Sequence, residues 1–139
     1  MKIFYGLRIR DFVKNTIKTY SPFIAGILLG AAIWWLSPSL AGKIEPWDAP
    51  LDTYRLCLFI AGFLAALPNP QKFWLSTIGI YFGQFLYAFL FLPLDPLCVV
   101  GMLFGLVFIV NALFGGVLVY IFWKIISNWM KKDENEPRR

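Results

Sequence analysis

The side chains able to do chemistry are few. The 139-residue chain has no histidine, which removes the commonest general base and metal ligand together. Its two cysteines, Cys57 and Cys98, are too far apart for a Cys-x-x-Cys zinc or redox pair. No Gly-rich phosphate loop, Gly-x-Ser-x-Gly elbow or His-Glu-x-x-His helix occurs. What is left is one polar stretch, residues 42–52, and a few amides and hydroxyls inside apolar runs. The stretch carries Glu45, Trp47, Asp48 and Asp52 and is followed at once by Arg55. Together with Asp95 these residues form the candidate cluster. As a recognition loop it would meet a membrane partner. As a structural clamp, Asp48 or Asp52 would cap a helix, Arg55 would pair with a carboxylate, and Trp47 would sit at a membrane interface.

The second set of polar groups is Ser76, Thr77, Gln84 and Asn111. An amide in hydrocarbon seeks a partner on a neighbouring helix, so these residues read as contacts between helices or, alternatively, as the lining of a path. Pumps and proton-coupled carriers place an acid or base within a span. None lies in the uncharged runs here.

Those runs, 19–42, 56–71, 73–94 and 96–123, are the elements that must hold the polar groups. With 59% hydrophobic, 19% aromatic and 15% charged residues, the chain departs from soluble values of about 45–50% apolar and about 25% charged. A spanning helix needs about 20 apolar residues. The runs therefore predict an all-α integral membrane protein, a bundle of four transmembrane helices over 22–40, 51–67, 72–92 and 96–123. Ser21-Pro22 and Asp95-Pro96 offer cap-and-proline starts, while Pro68-Asn69-Pro70 and Pro93 offer stops. The second span is the shortest. The fourth is long and is read as one tilted helix that kinks at Gly115-Gly116. Outer-membrane strands would alternate apolar and polar residues, and these runs do not.

Residues 1–20 place Ile9, Phe12, Val13, Thr16, Ile17 and Tyr20 on one helical face, which predicts an amphipathic helix on the membrane surface before the first span. A secretory signal ending near Ser39-Leu40-Ala41 is the rival reading, with an unusually long charged region against it. Residues 133–139 form a charged tail. If both termini share one side, that side holds all of the 13 Lys and Arg except Lys43 and Arg55. Positive charge stays cytoplasmic, so both termini are predicted inside. This asymmetry also accounts for the net charge of +5, and no nucleic-acid module is present. Trp34, Trp35 and Trp47 are then expected at the outer interface, and Trp74, Trp123 and Trp129 at the inner one. Cys57 and Cys98 fall near the same outer face, either as a disulfide or as two free thiols.

Small residues recur one turn apart: Gly26 and Gly30, Gly79 and Gly83, Gly101 and Gly105, with Ala61/Ala65 and Gly62/Ala66 in the second span. Such positions let helix backbones approach closely. The resulting expectation is a small, non-enzymatic protein of a bacterial inner membrane, without cofactor or metal. It would touch lipid and bind another membrane protein or itself, as an assembly subunit or an immunity-type protein. A small oligomeric channel or transporter, lined by Ser76, Thr77, Gln84 and Asn111, is the alternative.

Overall fold

The computed structural model describes the backbone of residues 2–48, 50–93 and 96–135, and the side chains of these apart from 2–13, 97–99 and 133–135. Every regular element among them is helical. They are α1 (Lys2–Ala41), α2 (Leu51–Ala66), α3 (Phe73–Phe91), α4 (Pro96–Phe108) and α5 (Val110–Asn135), with 3₁₀ turns at Pro46–Asp48 and Pro70–Lys72. Ile109 alone parts α4 from α5, so the described residues form four helices when these two are counted together. Three stretches are long and apolar enough to cross a membrane: Lys14–Asp48, Pro70–Phe91 and Val100–Lys132. The 16 residues of α2 reach only about 24 Å, short of a hydrocarbon core of about 30 Å.

Two expected boundaries move. The surface helix and first span, divided at Ser21-Pro22 by the sequence, are one continuous helix. Proline removes the N–H that would bond the carbonyl of Lys18. That carbonyl is instead taken twice, by the Ser21 hydroxyl at 2.9 Å and by Asn69 Nδ2 at 3.1 Å. Ser21 therefore repairs the helix rather than starting it. The long fourth helix is interrupted at Ile109, not at Gly115-Gly116. There the Ala112 N–H donates to Ile109 O at 2.9 Å, and the Phe108 carbonyl accepts Asn111 Nδ2 at 2.8 Å. The other stops fall as the prolines require: Pro93 drives Leu92 into extended geometry after α3. Gly42, at φ +65°, ends α1 with its N–H on Pro38 O.

The most extensive packing is α1 on α3 and α2 on α5, with smaller contacts of α1 with α2, α3 with α5 and α2 with α3. Glycine makes both main interfaces. A Cβ on Gly26 or Gly30 would strike the Ser76 and Ile80 carbonyls of α3, and one on Gly79 or Gly83 would strike those of Phe23 and Ile27 on α1. In the second interface Gly62 meets the Ala112 carbonyl and Gly115 that of Phe59. The glycines expected to kink the last helix are thus packing positions. The third motif behaves differently. Gly101 faces the Trp47 ring, while Gly105 has only the Tyr81 ring at 3.8 Å.

The core enclosed by these contacts is Tyr54, Leu58, Ala61, Ala65, Ile80 and Ala112. Half of these side chains are alanine, packed around Tyr54, Leu58 and Ile80. Large apolar ones point outward on every helix, Leu28, Leu64, Phe89, Val107 and Phe114 among them.

Candidate functional site

At the C-terminal end of α1 the chain is folded back tightly. The Ser37 hydroxyl donates to the Lys43 carbonyl at 2.8 Å, anchoring the loop to α1 beyond its glycine cap. Within the following 3₁₀ turn, Trp47 Nε1 donates to Glu45 Oε2 at 2.7 Å. The carboxylate thus satisfies the one polar atom of the indole and leaves its rings free to pack. They stand edge-on to Trp34, with centroids 4.6 Å apart and planes at 83°. On the other side, a Cβ at residue 101 would lie 2.6 Å from the Trp47 ring. Trp47 is therefore a wedge between α1 and α4, admitted because residue 101 is glycine.

The remaining charges of the cluster form a second, looser group. Arg55 reaches Asp52 at 3.9 Å, with the two side chains 49% and 99% exposed. A pair so wet is worth little, about 0–1 kcal/mol. The Arg55 guanidinium also lies 5.7 Å over the Phe108 ring, where α4 gives way to α5. Asp48 contributes a backbone N–H to Glu45 O at 3.1 Å. Neither Asp48 nor Asp52 caps α2, since Pro50 holds that position without a side-chain hydrogen bond. Asp95 lies outside the described residues. Four of the six residues grouped by sequence thus form two pairs, Glu45 packed with Trp47 and Asp52 exposed with Arg55.

Beneath this end, between α1 and α2, runs a shallow groove lined by Ile33, Ser37, Leu40, Pro46, Thr53 and Cys57. Cys57 is a half-buried free thiol. The side chain of Cys98 lies outside the described residues.

The four interior polar residues have four different fates. Gln84 alone joins two helices, accepting the Tyr54 hydroxyl at 2.7 Å on its Oε1. Both side chains are buried. The Ser76 hydroxyl donates to the Phe73 carbonyl of its own helix. Asn111 is spent on the Ile109 interruption. Thr77 Oγ1 is buried with no hydrogen-bond partner among the described residues, and so is Trp34 Nε1. Trp34 is 1% exposed against 69% for Trp35. Neighbours on a helix point about 100° apart, so Trp34 faces inward onto Trp47 while Trp35 faces outward.

Tyr54 was not singled out by the sequence. A tyrosine in an apolar run looks like any interfacial aromatic, and the signal available was indirect: the unpaired amide of Gln84 required a donor on another helix.

Compared with family models, with curated proteins and with solved structures, the chain has no match.

Proposed function

We propose that this is a four-span protein of a bacterial inner membrane, with both termini cytoplasmic, which acts without catalysis by binding another membrane component at its Trp47 end. An assembly or accessory subunit, or an immunity-type protein, works in this way. The membrane setting is supported by the large apolar side chains exposed along every helix, which suit lipid and not water. Orientation is supported by charge. Lys14, Lys18, Lys72, Lys124 and Lys132 lie toward one end of the helices, and Glu45, Asp48 and Asp52 at the other.

The observation that carries the binding role is the closure of the Tyr54–Gln84 hydrogen bond inside a core sealed by backbone contacts at glycine. The strongest interior polar groups satisfy one another, so a path through the single chain would have to break them. Polar groups free to meet a partner are presented at the end of the helices, where Asp52 and Arg55 are exposed beside a rigid Glu45–Trp47 wedge. Co-purification from native membranes in mild detergent tests this reading. A stoichiometric foreign membrane protein is expected with the parent chain and lost with Arg55→Ala, while the thermal midpoint of the variant stays near that of the parent. A pure homo-oligomer that conducts ions in planar bilayers would overturn it.

A further inference from the structure

A pocket of about 260 Å³ opens at the opposite end of the molecule, lined by Lys18 of α1, the loop Pro68, Asn69, Pro70 and Gln71, and Trp123 of α5. Its polar lining is rich in donors. The side chains that line it carry the Lys18 ammonium, the Gln71 amide and the Trp123 indole N–H, while the Asn69 amide bonds the Lys18 carbonyl. The carboxylates among the described side chains, Glu45, Asp48 and Asp52, all lie at the far end, and the Lys18 ammonium has no acidic partner among the described residues.

The pocket is also held in shape. Asn69 Nδ2 is fixed on the Lys18 carbonyl at 3.1 Å, tying the loop to α1. The Asn69 N–H is on Ala66 O at 3.2 Å, and the Asn69 carbonyl takes the Lys72 N–H at 3.0 Å. Two prolines restrict the backbone between these bonds. Trp123 stacks on Tyr120, with centroids 6.1 Å apart and planes at 26°. Three separate elements thus meet at one opening whose loop backbone is already ordered.

We infer that this pocket binds a phosphate group, carried by an anionic glycerophospholipid whose acyl chains lie along the neighbouring helices. Basic pockets between membrane helices recognise such headgroups by this combination of ammonium and neutral donors. The lipid form is favoured over soluble phosphate by the surroundings, since the exposed apolar side chains Ile17, Tyr20 and Ile24 on α1 and Phe122 on α5 flank the opening in sequence. A headgroup in the pocket would have apolar surface beside it for its chains. The inference rests on the membrane setting proposed above but not on the partner at the other end, because it is read on the purified chain alone.

The test is native mass spectrometry and thermal melting of the detergent-purified protein, titrated with phosphatidylglycerol, phosphatidylcholine or inorganic phosphate. Phosphatidylglycerol is expected to be retained and to raise the melting temperature, with phosphatidylcholine much weaker. Lys18→Gln should cut phosphatidylglycerol affinity by about tenfold or more, as loss of a charge-assisted bond does. Lys18→Arg should restore most of it. Lys132→Gln, which removes the same charge from exposed α5, should cost less than about fivefold. Trp123→Phe should weaken binding without lowering the lipid-free melting temperature by more than a few degrees. Protection by inorganic phosphate alone, lost in Lys18→Gln, would give the pocket a soluble phosphate and overturn the lipid assignment. Equal losses from Lys18→Gln and Lys132→Gln, or no preference for phosphatidylglycerol over phosphatidylcholine, would overturn the pocket altogether.

Discussion

Tyr54 and Gln84 supply the main directional contact inside the helices, and each is buried enough that removing the other leaves a polar atom stranded. Tyr54→Phe strips the donor from Gln84 Oε1, and Gln84→Leu strips the acceptor from the hydroxyl. Each is expected to cost about 1–2 kcal/mol. The double variant should lose less than the sum of the two, with a coupling of about 0.5–1.5 kcal/mol in a thermal or denaturant double-mutant cycle in detergent. Thr77 is the converse case. Its hydroxyl is buried without a partner among the described residues, so Thr77→Val keeps the shape, removes the cost and should raise stability by about 1 kcal/mol in the same assay. That Gln84 needed a partner was legible in the sequence. Which of four amides and hydroxyls would cross to another helix was not, because a serine or asparagine can turn to its own backbone, as Ser76 and Asn111 do.

Among the helices, three identical Gly-x-x-x-Gly spacings have different uses. Gly83 lies on the backbone of Ile27, whereas Gly105 meets only a tyrosine ring edge at 3.8 Å. Gly83→Ala must push α1 from α3, and is expected to lower stability by about 1–3 kcal/mol. Gly105→Ala gains helix propensity with room to spare and should be neutral or stabilising by up to about 1 kcal/mol. Comparison of the two melting temperatures checks this directly. The spacing revealed which residues could let helices touch. It left open which helix would be met, since that depends on contacts far apart in the chain. The helix ends were easier to foresee: Pro93 and Pro68-Asn69-Pro70 act locally, through missing N–H groups and restricted backbone. Pro22 was misread because its missing bond is replaced by side chains, Ser21 within the helix and Asn69 from outside it.

For the whole molecule, the separation of lysines from carboxylates and the alternation of helix direction make one topology the natural one. Reporter fusions after Lys18, Pro46, Gln71, Asp95 and Lys132 should read inside, outside, inside, outside, inside. A C-terminal fusion on the outer side would remove the charge argument along with the orientation. In the proposed membrane setting the short α2 would have the most to lose from its surroundings, because its 16 residues would not match a bilayer alone and would rely on α5 beside them. The helix class and its turning points were legible from hydropathy and proline. The folding of the Trp47 wedge was not, for it depends on a glycine in α4 more than fifty residues away.

The pairing of α1 with α3, rather than with its neighbour α2, also bears on how the chain is made. In the proposed membrane setting α1 would enter first, and its glycine face would wait while α2 and the Asn69 loop are synthesised. The second pair, α2 with α5, waits longer still. Each early helix is thus made before the helix it packs on most extensively, and its glycine face stays unclaimed until the third and last helices are complete.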